Sequence, residues 1–462
     1  MEQLSNEMGT MPIRKLAFKI SIPMVISMIS IALYGIIDTM FISKISDEAL
    51  TAAALAMPIL SIITAIALGT SIGLNALLAK TLGEKNDKKT KDIIKIGFLI
   101  TIIIWIVIVI VGKLGLRKFF GLFTQNDKIK NLGYDYLSII SMFSVWSLYQ
   151  ILFEKILEAY GKTKSSMIIQ FGGAIINLIL DPILIFGYFG MPALGIKGAA
   201  ISSVFGQFIG MLIGLIIILK YKIISFKELL KIKIDDKNIL KDIYKVGIPT
   251  MILESVASFI TLILNRVLGE YSDKAISVWG IYNQLQKFVI IIVYGFNYGM
   301  IPIIAYNWGA KKKERIIETI KIFLKISIVV TVIGQIIFIL GTKHIIQIFN
   351  VSEDLLNIAI PAFRILAIGF IFAGISLTLS ATFQAFGNGI YSLIVNLSRQ
   401  IIFTLPLILL LKNIFGINGI WISFTIAEII TMMISIMLYL NNKKKVINTI
   451  QAEDTIINKG ET

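Results

Sequence analysis

The sequence predicts an all-α polytopic membrane protein, with twelve transmembrane helices in two six-helix lobes related by a pseudo-two-fold axis along the membrane normal. Composition is the first reason: 56% of the 462 residues are hydrophobic, 16% are charged, and mean hydropathy is +0.85. Soluble domains carry about 25% charged residues, and no soluble core could hide this much apolar surface. The second reason is that the apolar residues fall in twelve long runs, each near the ~20 residues a spanning helix needs. The third is that the two halves repeat.

The runs place spans near 16–42, 50–79, 93–112, 132–158, 165–187 and 197–219 in the first half. In the second half they fall near 242–267, 277–307, 319–341, 356–386, 389–412 and 417–440. The first lobe is assigned 1–222, a linker 223–240, the second lobe 241–440 and a polar, frayed tail 441–462. Arg14 and Lys15 precede the first run as in a signal peptide, but the run is long, lacks a small-residue cleavage site and is followed by more spans. It reads as an uncleaved first helix.

Lysine and arginine cluster in alternate loops: Lys85, Lys88, Lys89 and Lys91, then Lys227, Lys231, Lys233 and Lys237, then Lys311–Lys313 and Arg315. Basic loops stay in the cytoplasm, which predicts both termini there. The net charge of +16 is thereby accounted for without nucleic acid. One predicted outer loop disagrees, with Arg117 and Lys118 in 114–123; it reads as an interfacial stretch with snorkelling basic side chains. No cysteine is present, and the single histidine, His344, falls in a predicted outer loop. Disulfides and multi-histidine metal sites are excluded.

One register, an offset of 226 residues, relates the halves. Ile22-Pro23 recurs as Ile248-Pro249, Gly69 and Gly73 as Gly295 and Gly299, Gly83 as Gly309, and Ala159-x-Gly161 as Ala385-x-Gly387. Gly195-Ile196-x-Gly198 recurs with drift as Gly416-Ile417-x-Gly419. Six spans per repeat, an even number, makes the repeats parallel, as in transporters whose lobes rock about a central cavity. The paired Gly-x-x-x-Gly motifs are close-packing sites. Gly69-Thr70-Ser71-Ile72-Gly73 spells a nucleophile elbow, but it lies within an apolar run with no histidine near. Asn396-Leu397-Ser398 is a glycosylation sequon by spelling only.

Ionisable residues inside spans are costly and mark pathways or proton relays. The first half holds Asp38, Glu154, Lys155, Glu158 and Asp181; the second holds Glu254, Arg266, Lys287, Arg364, Arg399 and Glu428. Asp181 is the strongest candidate. Asn177 lies four residues before it, on the same helix face, and Pro182 frees a backbone carbonyl one turn back. A carboxylate, an amide and a carbonyl can hold a proton or cation. Asp38 stands toward the outer end of the first span. Glu154 shares a face with Glu158, while Lys155 points elsewhere and is expected to pair with another helix. Glu254 lies just past Pro249. Arg399 and Lys287 neutralise acids or snorkel, and Tyr136 is a cavity wall or an interfacial anchor.

With Asp38, Asn177-x-x-x-Asp181-Pro182 and the repeat, the chain resembles the MATE (multidrug and toxic compound extrusion) family over about residues 14–440, closest to its DinF-like, MepA-like branch. The branch's first-helix Asp and fifth-helix Asn-x-x-x-Asp match Asp38, Asn177 and Asp181, and its fourth-helix Glu matches Glu154. Tyr136 sits where the branch has a tyrosine. Ser202 or Ser203, the latter preferred, sits where it often has Thr. Gly195–Ala200 is similar to the family's sixth-helix entry. The NorM-like branch binds sodium with a seventh-helix Glu and a tenth-helix Asp. Glu254 matches the first, but the tenth span has no acid.

What the resemblance implies is antiport: protons, or sodium at Asp38, Asn177 and Asp181, enter while organic cations and drugs leave a bacterial cell across its plasma membrane. Asp181, Glu154, Tyr136, Ser203 and Glu254 would bind substrate, with no cofactor and with one chain sufficient. The alternative is a lipid-linked oligosaccharide flippase of the same superfamily, which would want a cationic cavity. A channel would pass current without exchange. A membrane-embedded enzyme lacks its nucleophile and histidine contexts here.

Overall fold

In a computed structural model the described residues are 7–225, 228, 238–347 and 353–460, excepting the side chains of 254–259, 261–262, 273 and 442–460. The first lobe contains α1 (Ile13–Ser43), α2 (Asp47–Gly83), α3 (Asp87–Phe123), α4 (Asp127–Phe143), α5 (Val145–Ala159), α6 (Thr163–Phe186) and α7 (Ile196–Lys220). The second contains α8 (Asn238–Gly269), α9 (Asp273–Gly309), α10 (Lys313–Gln347), α11 (Glu353–Ile368), α12 (Phe370–Ala385), α13 (Gly389–Leu397), α14 (Thr404–Phe415) and α15 (Ile417–Gly460). The pairs α4–α5 and α11–α12 are each one span, bent by 49° and 43°. A π-helical turn, Ser398–Ile402, joins α13 to α14 within another span. Among the described residues nine single spans and these two bent pairs are long and apolar enough to cross a membrane, and the 32-residue α8 stands where the seventh of the twelve predicted spans falls. Capping residues start several of them: Ser46 accepts from the Ala49 amide, Asn86 from that of Lys89, and Ser272 from that of Ala275.

The repeat is visible in the backbone. Gly161 and Gly387 both take a left-handed φ, +72° and +70°, after the fourth and tenth spans. Gly195 and Gly416 do so at +55° and +57°. Even two lysines obey it: Lys85 and Lys311 have φ of 55° and 57° in the turns after α2 and α9. Left-handed backbone is costly for a side chain with a Cβ, so its recurrence reports matched turns.

The lobes meet in the halves of their helices nearest the linker. Gly69 and Gly73 pack on the α8 backbone at Gly247 and Ile243, while Gly295 and Gly299 pack on Val25 and Ser21 of α1. Gly83 abuts Tyr306 and Ala310, and Gly309 abuts Lys80 and Glu84. Phe18 meets Phe296 edge-on, and the Lys80 ammonium lies over the Trp308 ring at 4.3 Å. The segment before α1 is held by the second lobe: Arg315 donates to the carbonyls of Met8 (2.9 Å) and Met11 (2.8 Å), Asn307 to Met8 (3.1 Å), and Lys312 to Gly9 (2.7 Å). The linker end of the molecule is therefore closed.

Several expectations are corrected. Residues 114–123 are helical, as the last turns of α3: Leu116 and Phe120 bury against α4 and Arg117 stacks over Tyr134 at 4.8 Å. His344 is not in a loop but on an exposed face near the end of α10. The tail continues α15 as helix to Gly460. Most of the linker, and the side chain of Glu254, lie outside the described residues. Lys287, Arg266 and Arg364 are exposed, while Arg399 pairs with Glu428 at 2.7 Å. Asn396 and Ser398 of the sequon are buried.

Candidate functional site

Asp181, on α6, is fully buried. Asn177, one turn earlier on the same face, donates to its Oδ1 at 3.4 Å, and the Ser202 hydroxyl of α7 donates to the same oxygen. Asn177 also reaches Ser202 (3.5 Å) and Ser203 (3.3 Å). Ser203 in turn meets the Tyr34 hydroxyl at 3.0 Å. Small residues allow this: Gly206 and Gly173 bring α7 and α6 together so closely that a Cβ on either would meet main-chain oxygen of the other, at 2.6 and 2.9 Å. Tyr34 and Asp38 are one turn apart on α1. Tyr136, on α4, is buried in an apolar cluster that also holds Ile42 of α1 and Ile185 of α6.

Three buried oxygens in this cluster have no hydrogen-bond partner: Asp38 Oδ1, Asn177 Oδ1 and Asp181 Oδ2. Buried acceptors left unpaired cost about 1–3 kcal/mol each. All three are acceptors, so a proton or a cation is the species that would complete them. Desolvated neighbouring carboxylates resist both being ionised.

The cluster opens into a cavity of about 270 Å³ lined by Tyr34, Asn177, Ser203, Gln150, Glu154 and Lys155, among others. Glu154 on α5 is buried and its described partner is Gln150, which donates at 3.1 Å. The expectation that Lys155 pairs with another helix fails. Its ammonium binds Glu158 on its own helix at 2.8 Å, held there because Ser166 occupies the other Glu158 oxygen at 2.9 Å and Asn75 anchors the Lys155 carbonyl at 2.7 Å. The same ammonium lies 4.8 Å from the Tyr298 ring of the second lobe. Glu158 is thus neutralised, and Glu154 makes no ion pair among the described residues.

Hydrogen bonds join Asn177, Asp181 and Ser203 and run on through Tyr34, one turn before Asp38, with Glu154 across the adjoining cavity; Tyr136 lies in the neighbouring apolar cluster and is not among the described residues lining that cavity. Ser203 binds Asn177 and Tyr34, whereas Ser202 is the serine on Asp181. Tyr34 escaped sequence reasoning, although its place four residues before Asp38 was a usable signal. Gln150, one turn before Glu154, escaped it in the same way.

The MatE family profile matches residues 23–183 and 249–410. These two stretches are the two lobes, and they begin 226 residues apart, in the register of the repeat. The chain is 26% identical over 420 residues to the multidrug export protein MepA of Staphylococcus aureus (strain MSSA476), spanning 90% of this chain and 91% of that protein. It is 25% identical over 421 residues to a FAD transporter of Shewanella oneidensis, covering 91% and 92%. Among solved structures, a MATE transporter in complex with MaL6 superposes with TM-score 0.88 at 20% identity, over 95% of this chain and 98% of that one. An outward-facing multidrug resistance MATE family transporter of the MOP superfamily superposes with TM-score 0.86 at 20% identity, covering 96% and 98%. With both repeats matched and the whole two-lobed fold shared, the chain belongs to the MatE family: it is a multi-pass membrane transporter, not an enzyme.

Proposed function

We propose that this transporter exports organic cations and drugs by antiport against protons, with sodium as the other ion the same oxygens would accept. The observation that carries the reading is the set of three partnerless acceptors on Asp38, Asn177 and Asp181, of which Asn177 lines the cavity that holds Glu154 and bonds to Asp181. A proton on either aspartate removes a charge and turns an acceptor into a donor, which the orphan Asn177 oxygen can receive. That rearranges the Asn177–Ser203–Tyr34 bonds that form the cavity wall. Loss of negative charge there weakens the hold on a cationic substrate, so ion and drug compete. Glu154 supplies the attraction for the cation, and Tyr34 and Tyr298 the aromatic surface. The relatives named for multidrug export support this reading. A flippase would want a cationic cavity, whereas the cavity here carries the uncompensated Glu154. In the cell the linker end would face the cytoplasm, in keeping with its basic loops, and one chain would suffice.

The test uses proteoliposomes and ethidium, with a proton gradient or a sodium gradient imposed separately. Uphill ethidium movement under one gradient, lost in Asp181→Asn, is the expected result. Wild-type driven transport in Asp181→Asn would end the mechanism.

A further inference from the structure

The repeat lets each site in one lobe be compared with its counterpart 226 residues on. Glu154, Lys155, Glu158, Ser166 and Gln170 of α5 and α6 correspond to Ser380, Ala381, Gln384, Ser392 and Asn396 of α12 and α13. The scaffold is kept. Ser166 donates to Glu158 at 2.9 Å in the first lobe; in the second, Gln384 donates to Ser392 at 3.0 Å. The Ser380 and Ser392 hydroxyls are 2.6 Å apart, and Asn396 donates to Ser380 (2.7 Å) and to the Ser392 carbonyl (2.9 Å). Every charge of the first-lobe cluster is replaced by a neutral group.

Ser380, Ala381, Gln384 and Asn396 line a second cavity, of about 100 Å³, together with Thr250, Asn297 and Gln400. Among the described residues no charged side chain lines it. A water needs roughly 10–15 Å³ of such space, so the cavity holds about seven to ten waters or the polar atoms of one sugar-sized group. Its spare capacity is mostly acceptor. Both amide N–H groups of Asn396 and one of Gln384 are already donated, leaving their carbonyl oxygens without a described donor, and Gln400 Oε1 is buried with none. Asn297 is only 3% exposed and makes no hydrogen bond among the described residues. Tyr298 lines this cavity and the Glu154 cavity alike, so the two compartments share a wall.

We propose that the second-lobe cavity binds an uncharged, hydroxyl-rich group, of which sugars and polyols are the chemical class. Hydroxyls donate to the free amide oxygens and accept from Asn297, and the described lining is polar and uncharged. The substrates are then bipartite: a ring system or cation beside Glu154, extended by a sugar-like group across Tyr298. This rests on the Glu154 cavity being the substrate site.

The experiment is equilibrium binding to the full chain in lipid nanodiscs, which avoid sugar-headed detergents. The probes are 7-methoxy-4-methylcoumarin, 4-methylumbelliferyl β-glucoside and ethidium. In the wild type the glucoside is expected to bind at least tenfold more tightly than the methoxycoumarin. That preference should fall to within threefold in Asn297→Ala and in Gln384→Ala, with melting temperatures confirming the fold and ethidium affinity unchanged. Equal coumarin affinities in the wild type, or a preference that survives both substitutions, would overturn the proposal. Ethidium failing to bind while the glucoside preference stands defeats the cation reading and leaves this one in place.

Discussion

Substituting Gly309 by alanine should open the linker end. A Cβ at Gly309 would lie 2.8 Å from the Lys80 carbonyl carbon and 3.1 Å from the Glu84 amide nitrogen, and would overlap the Lys80 oxygen. These are main-chain atoms at the end of α2, held by the Glu84–Lys80 hydrogen bond of 3.0 Å, so no side chain can swing aside. Overpacking of this kind costs about 1–3 kcal/mol. The contact joins the two lobes, so separating them removes the cost, and it falls on the closed state alone. At 1.4 kcal/mol per factor of ten, the equilibrium shifts about 5- to 150-fold toward opening at this end. The chain has no cysteine, which permits a clean reporter. Ala76 is 4% exposed and lines an interlobe cavity with Asp242, Lys245 and Trp308. In an Ala76→Cys background, Gly309→Ala should raise the rate of labelling by a water-soluble maleimide by that factor. Gly35→Ala, with nothing within 4 Å of its Cβ, should leave the rate alone. An unchanged rate in a folded Gly309→Ala protein would refute the argument that this glycine permits closure.

Glu154→Gln should weaken ethidium binding about 10- to 150-fold, the worth of a hydrogen bond to a charged group; calorimetry showing less than a threefold loss would remove Glu154 from the site. Lys155→Met leaves Glu158, 3% exposed, without its partner, at a cost of about 3–5 kcal/mol. Lys155→Met/Glu158→Gln should regain most of that in thermal unfolding, and a double variant no more stable than the single one would contradict the pairing. In the linker, hydrogen bonds from Lys91 and Ser225 hold the Glu228 carboxyl down, at about 2. A lowered folded-state value means the contact contributes above pH 4.5 and is lost as pH falls through about 2. Being a third exposed, it contributes less than about 1 kcal/mol. Wild-type and Lys91→Ala melting temperatures should therefore differ slightly at pH 6 and converge near pH 2; a gap that persists in acid would assign it to something other than this ion pair.

Some of the site could be read before any fold was known. Asn177 and Asp181 share a face because four residues nearly complete a helical turn, and an acid in an apolar run announces itself by cost. Their partners could not be read. Ser202 and Ser203 are adjacent, and only the approach of α7 to α6 at Gly206 and Gly173 decides which of them touches Asp181. Lys155 was directed toward another helix because adjacent residues point apart, yet its long side chain reaches Glu158 three residues on. Composition marks 114–123 as basic and apolar, and only the packing of Leu116 and Phe120 shows that it ends α3.

What the sequence by itself determined is what depends on neighbours along the chain: hydropathy over about twenty residues, which sets the spans, and a register of 226 residues, which sets the lobes. What only the tertiary structure decided is which polar groups are left unsatisfied. A hydrogen bond is made or missed over a few tenths of an ångström between side chains far apart in sequence. The orphan oxygens of Asp38, Asn177 and Asp181, and the polar cavity of the second lobe, exist because α1, α6 and α7, and α8, α9, α12 and α13, converge as they do.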